Sequence, residues 1–219
     1  MTKVWDPSIR LFHWTMVLLL GGLWLTGEIS AVYIHQFLGF ALLALVVYRI
    51  LWGFFGTRYA RFSEFIRSPK ALISYLPQML PKVKEQPHLS HNPAGGIAVV
   101  AMLILLLGQI TTGMLSIDDG FFSGPFVHWI GEDQAESMAE IHEIIFTLLQ
   151  FIVVVHVAAV LWHQLVKKDP LIPAMVKGQK PHAGTDYEYS VAKSLVVAVV
   201  SFAAVFGVIF GLGQVSMPL

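Results

Sequence analysis

The sequence predicts an all-α integral membrane protein. Three observations carry that prediction: five long apolar stretches, charges sorted between alternate connections, and histidines inside the stretches. Of 219 residues, 56% are hydrophobic and 13% charged, with a mean hydropathy of +0.68; a soluble domain of this length is far more polar. The stretches run over residues 11–28, 31–53, 94–116, 140–165 and 191–213, and each has about the 20 residues needed to cross the hydrocarbon core. Helices are required there, because an open strand edge leaves its backbone unsatisfied in lipid.

The first stretch follows Lys3 and Arg10, as a secretory signal would. No small-residue cleavage site follows it, and Gly27-Glu28 leads almost directly into the second span, so it reads as a retained helix. The absence of cysteine excludes disulfides, thiolate metal sites, iron–sulfur clusters and covalently attached c-type haem.

All fourteen Lys and Arg lie at the N-terminus or in the connections after spans two and four, counting the helix ends at Arg49 and Lys193. The other two connections and the start of span four carry Glu28, Asp118, Asp119, Glu132, Asp133, Glu136, Glu140 and Glu143. The positive-inside rule therefore predicts a multi-pass protein with its N-terminus cytoplasmic and its acidic connections and C-terminus on the outer side.

Within the long inner connection, Ser68-Pro69 and the spacing of Ala71, Leu72, Tyr75, Leu76 and Met79 suggest a short interfacial helix. A loop packed on the bundle fits the same residues. Asn92-Pro93 supplies a start signal for span three. Span five holds no His, Asp, Glu or Arg, and its small residues Ala198, Ser201, Ala203, Ala204 and Gly207 suit a packing or anchoring helix. No internal repeat or low-complexity region is evident.

Nine histidines occur. His88, His91 and His182 lie in polar inner connections and His128 in the acidic outer one, where a solvated loop residue is expected. His13, His35, His142 and His156 lie inside spans, and His163 near the inner end of span four. Ionisable residues within a membrane helix mark function. His142 and His156 are fourteen residues apart, about 21 Å of helix rise, so they occupy similar faces at two depths and cannot share one ion. Depth pairs His35 with His142 and brings His13 nearest His156. Two histidines per level suit haem, whose porphyrin leaves only two axial positions, whereas zinc needs three or four protein ligands. Two alternatives stay open. Glu28, Glu140 and Glu143 could complete a zinc or proton site at the outer level. His163, seven residues beyond His156, could replace it at the inner one or hydrogen-bond a haem propionate.

Gly39, Gly21, Gly22 and Gly113 leave room for a macrocycle or for close helix contact. Arg10 and Arg49 sit where propionates would be paired, though snorkelling to headgroups accounts for both. The six tryptophans cluster toward span ends, as an aromatic belt does.

Several motifs together resemble the bacterial di-haem cytochrome b family of prokaryotic cytochrome b561 and the cytochrome b subunits of nickel–iron hydrogenases. They are Trp5-Asp6-Pro7 with Arg10 and Phe12-His13-Trp14; His35 with Gly39; Arg49 to Gly56 and Ala60-Arg61-Phe62; His91-Asn92-Pro93-Ala94-Gly95; Thr112-Gly113; and His142 with His156. The resemblance implies a four-helix haem-bearing domain over residues 1–180, followed at 181–219 by a linker and an additional transmembrane helix. It further implies two haem b groups, His35 with His142 outside and His13 with His156 inside, and it favours His156 over His163. Family members exchange electrons between quinone and a partner on the outer side. For this chain the expected partners are the bilayer, quinone, and a periplasmic c-type cytochrome that its carboxylates would steer. A hydrogenase-like subunit and superoxide are the rivals, a proton-relay transporter a more distant one, and nucleic acid is not among the partners. An electron carrier or oxidoreductase subunit is expected rather than a stand-alone enzyme.

Overall fold

The computed structural model describes all residues except 82, 84–87, 119–121, 182–183 and 213–219, and the side chain of Asp118. His182 and Asp119 therefore lie outside the described residues. Eight helices occur among those described: α1 (Pro7–Glu28), α2 (Val32–Phe55), α3 (Phe62–Phe65), α4 (Pro69–Tyr75), α5 (Pro93–Leu115), α6 (Glu132–Trp162), α7 (Leu171–Lys177) and α8 (Val191–Leu212). Of these, α1, α2, α5, α6 and α8 are long and apolar enough to cross a membrane. The chain is an all-α, multi-pass membrane protein.

The spans match the apolar stretches, except that α1 begins at Pro7 rather than residue 11 and the fourth is longer still. The fourth begins at Glu132 rather than residue 140, and its helical turns continue to Lys167. Glu132 and Asp133 fill its first turn, where the exposed N–H groups and helix dipole favour negative charge, so hydropathy alone misplaces the start. Glu136 also lies on α6, so three of the carboxylates expected in a connection belong to a helix. The other end widens into a single π turn at His163–Lys167, closed by left-handed Lys168.

Contacts divide the chain into two compact units. The first comprises Met1–His13, Arg49–Met102 and Ile152–Ser194. Its centre is Asp6, which is fully buried. The carboxylate caps α1 by accepting from the Ile9 backbone N–H at 2.9 Å, and it also accepts from Trp52 Nε1 at 3.1 Å and Thr57 Oγ1 at 2.6 Å. One side chain thus ties the N-terminus to the end of α2 and the turn beyond it. Close packing accounts for the glycines of this stretch. A Cβ on Gly53 would lie 2.2 Å from the Phe62 ring, and one on Gly96 would lie 2.5 Å from the Phe65 carbonyl oxygen. The Arg49 guanidinium lies 5.1 Å from the Phe62 ring centre and 5.8 Å from that of Phe65, a cation–π arrangement for a nearly buried charge.

Elsewhere in this unit, the two-residue strands β1 (Thr2–Lys3) and, after α7, β4 (Gln179–Lys180) pair antiparallel. Between α7 and β4, Gly178 adopts φ +81°, and its carbonyl accepts from Val4 and Trp5 N–H. Lys180, 1% exposed, is satisfied by Asp169 and the His88 carbonyl, both at 3.1 Å. In the long connection, Ser68 accepts from Ala71 N–H and starts α4, as its Ser-Pro signal predicts. Lys167 donates to the carbonyls of Gln78, Leu80 and Val83 just after it. Asn92 Oδ1 accepts from Gly95 N–H at 2.7 Å and caps α5.

The second unit comprises Trp14–Tyr48, Leu103–Phe151 and Leu195–Leu219. Here α1 and α2 join through a turn in which Ser30 takes φ 54°. A two-strand hairpin, β2 (Ile117–Asp118) with β3 (Phe122–Ser123), follows α5. The fifth span packs on the second: Val205 and Ile209 of α8 form one buried cluster with Phe40 and Ala44 of α2. Ser201, Val205 and Ile209 are its buried residues, spaced by four as one helix face requires.

Asp6→Ala leaves three buried donors without their acceptor, at about 1–3 kcal/mol each. The variant is expected to unfold in detergent at a clearly lower denaturant midpoint; an unchanged midpoint contradicts the role given to Asp6.

Candidate functional site

The four span histidines separate between the units. His35 and His142 belong to the second, His13 and His156 to the first, and all four are half-buried.

In the second unit the His35 and His142 ring centres are 6.3 Å apart, with planes inclined at 70°. Each ring is held by the helix that precedes its own. His35 Nδ1 lies 3.0 Å from the Leu23 carbonyl of α1 and 3.3 Å from Thr26 Oγ1. His142 Nδ1 lies 2.9 Å from the Gln109 carbonyl of α5 and 3.2 Å from Thr112 Oγ1. A carbonyl only accepts, so Nδ1 carries the proton in both rings and Nε2 keeps the lone pair. The Gln109 side-chain amide donates to His142 Nε2 at 2.9 Å, and its own Oε1 is buried without a partner. Gly113 touches the His142 ring, where an added Cβ would lie 2.9 Å from Cε1. A Cβ on Gly39 or Gly21 would meet nothing within 4 Å, and one on Gly22 would meet Leu38 at 3.1 Å. Glu28, Glu132, Asp133, Glu136, Glu140 and Glu143 are exposed. The second unit contains none of the fourteen Lys and Arg.

In the first unit His13 and His156 lie within electrostatic range of each other. His163 is buried. Its Nδ1 donates to the Ala159 carbonyl at 2.8 Å, and its Nε2 accepts from Tyr75 Oη at 3.0 Å and Asn92 Nδ2 at 3.3 Å. Both nitrogens are thus committed to protein partners. Arg49 is buried, and Arg10 donates to the Val176 carbonyl at 2.6 Å. His91 is not a solvated loop residue: its ring packs 4.9 Å from Trp5 and 4.6 Å from Phe65. Burial, and then the charges of Arg49 and Lys180 and the proximity of His156, lower its pKa to about 3.

Among the described residues no group of three or more His, Cys, Asp or Glu is placed to hold a metal ion. Glu28, Glu140 and Glu143 therefore do not complete a zinc site around His35 and His142. What remains is histidines in twos.

A family model for prokaryotic cytochrome b561 matches residues 4–178. The chain belongs to the prokaryotic cytochrome b561 family. It is a membrane cytochrome b of electron transfer, in a family whose cytochromes bind haem b. No curated protein and no solved structure matches the chain.

The residues of this cytochrome fit the group. With ring centres 6.3 Å apart, His35 and His142 are close enough for one iron to be held by both. The nitrogen left with a lone pair on each ring is the one an iron would take, and the Gln109 amide must yield His142 Nε2 for that to happen.

Sequence reasoning missed Thr26, Gly27 and the two carbonyl acceptors. The available signal was the recurrence of Gly-x-x-x-Thr-Gly at Gly22–Gly27 and Gly108–Gly113.

His91 is held neutral in the folded protein but takes up a proton near pH 6.5 when unfolded. The unfolded state then binds more protons between about pH 3 and 6.5, so stability falls as pH is lowered through that window. The full contribution is about 1.4 kcal/mol per pH unit. Unfolding free energies measured from pH 7 to 4 are expected to fall less steeply in His91→Gln than in the parent; parallel curves contradict the assignment.

Proposed function

We propose that this cytochrome carries electrons between the quinone pool and a periplasmic redox protein, most directly a basic c-type cytochrome, through two bis-histidine b haems. His35 and His142 would hold the haem at the periplasmic level, and His13 and His156 the one at the cytoplasmic level. The observation that carries the reading is the first pair: two half-buried imidazoles at 6.3 Å, each with Nδ1 bonded to a carbonyl. His156 is taken over His163 because both nitrogens of His163 already have protein partners.

Bound haem supplies a one-electron centre to each pair. The chain's own part is to fix the ligands and their surroundings. Carbonyls of α1 and α5 hold the tautomer of His35 and His142, which raises the basicity of the coordinating nitrogen. Arg49, buried near the rings of Phe62 and Phe65, and Arg10 supply positive charge where propionates of the cytoplasmic haem would need it. His142 and His156, fourteen positions apart, differ by about 21 Å of helix rise along α6.

The charge asymmetry supports a cytoplasmic N-terminus and a periplasmic C-terminus, and membership of a prokaryotic family supports the inner membrane. The second unit's carboxylates then face the periplasm, where uncompensated negative charge accelerates encounter with a basic partner. Exclusion of cations explains the missing lysines but not the added carboxylates. The same charge disfavours superoxide, an anion. Residues 1–180 form the di-haem domain in this reading, and 181–219 a linker and added span.

Purified protein reduced by a quinol analogue, without dithionite, is expected to be reoxidised rapidly by a basic cytochrome c, with a rate that falls as salt is raised. Rapid reduction of the oxidised protein by superoxide with no exchange with cytochrome c, or tight co-purification of an iron–sulfur subunit that is the only effective partner, contradicts the proposal.

A further inference from the structure

The hexapeptides Gly22-Leu23-Trp24-Leu25-Thr26-Gly27 and Gly108-Gln109-Ile110-Thr111-Thr112-Gly113 share the pattern Gly-x-x-x-Thr-Gly, and the sequence contains Thr-Gly nowhere else. One ends α1 and the other lies near the end of α5. We propose that each is an imidazole cradle, in which Thr26 and Thr112 are positioning residues that set the basicity of His35 and His142. The proposal rests on the reading that this pair binds one haem.

The geometry repeats atom for atom. Thr26 Oγ1 donates to the Gly22 carbonyl at 2.7 Å, and Thr112 Oγ1 to the Gly108 carbonyl at 2.9 Å. With its proton committed backwards along the helix, each hydroxyl presents a lone pair outward. It lies 3.3 Å from His35 Nδ1 in one case and 3.2 Å from His142 Nδ1 in the other. The same Nδ1–H reaches the carbonyl three residues before the threonine, that of Leu23 or Gln109. Each imidazole N–H is therefore shared between a carbonyl and a hydroxyl.

The closing glycine lies beside the ring in both copies, and at Gly113 it has a steric reason. On a helix the Cβ of residue i+4 leans back over the carbonyl of residue i, so a Cβ at position 113 would crowd the His142 ring, while one at position 27 would make ordinary contact with His35. A Cβ on Gly113 would meet His142 Cε1 at 2.9 Å and Nδ1 at 3.2 Å; one on Gly27 would meet His35 Cε1 at 3.6 Å and Nδ1 at 3.7 Å. Threonine bonded to its own helix backbone is common in membrane spans, and that habit alone explains the hydroxyl-to-carbonyl bonds. It does not explain a histidine N–H on both outward faces or a glycine at the same offset twice.

The two helix pairs are thus built alike: α1 cradles a histidine of α2, and α5 cradles one of α6. The kinship is hidden because His35 follows Gly27 by eight residues and His142 follows Gly113 by twenty-nine.

A hydrogen-bond acceptor on Nδ1–H makes the opposite nitrogen a stronger donor and favours the ferric over the ferrous state. Removing the hydroxyl raises the midpoint potential. The test is a potentiometric titration of full-length, haem-loaded protein in detergent, following the haem that His142→Ala abolishes. Thr26→Val and Thr112→Val are expected to retain that haem and raise its potential. The reduced-to-oxidised ratio at a fixed potential should change about threefold or more, tenfold corresponding to about 59 mV for one electron. Thr26→Ser and Thr112→Ser restore the original value, and Gly113→Ala perturbs the low-spin EPR signal more than Gly27→Ala. A second measurement needs no substitution: pulsed EPR of oxidised parent protein in D2O should find the Nδ1 protons of this haem slow to exchange.

Valine variants that titrate like the parent, serine variants that shift as far as valine, or fast-exchanging Nδ1 protons overturn the proposal. If His142→Ala leaves the haem content unchanged, the underlying reading of the pair fails instead.

Discussion

An imidazole inside a bilayer helix has two nitrogens to satisfy and no water to do it. Every structural feature around His35 and His142 answers that constraint. A helix carbonyl has a second lone pair beyond the one used in the i+4 ladder, and the proton of Nδ1 goes there. The second nitrogen then keeps its lone pair, which in His142 accepts from the Gln109 amide and which the proposed function gives to a haem iron. His163 answers the same constraint differently. Ala159, Tyr75 and Asn92 take both of its nitrogens, which makes it a strut between the end of span four and the inner connection.

Charge follows the same partition. The unit with His13 and His156 contains every Lys and Arg of the chain, while the unit with His35 and His142 contains none. In the first, buried cations are tied down individually: Lys180 by Asp169 and the His88 carbonyl, and Arg49 near two phenylalanine rings. In the second, exposed carboxylates remain in contact with solvent. One chain thus offers a cationic environment to one histidine pair and an anionic one to the other.

The spans were legible because twenty apolar residues have few other uses, and their caps at Ser68 and Asn92 were legible because a side-chain oxygen beside proline has a defined geometric job. The start of α6 was not, since hydropathy rejects the carboxylates that the helix dipole accepts at Glu132 and Asp133. His142 and His156 were visible as two levels from helical rise alone. Spacing separates His156 from His163 only weakly, because seven residues return to nearly the same face, and the partners of His163 at Tyr75 and Asn92 come from a distant connection. His91 looked like a loop residue because nothing local announces the rings of Trp5 and Phe65 around it. The threonine cradles required knowing which helix faces which.

The central claim is that the four span histidines act as two pairs, each holding one haem, and counting haem against protein tests it most directly. Purified chain is predicted to contain two non-covalent b haems, and His142→Ala and His156→Ala are each predicted to lower the count to one, removing components of different midpoint potential. One haem per chain in the parent, or two retained in either variant, contradicts the account.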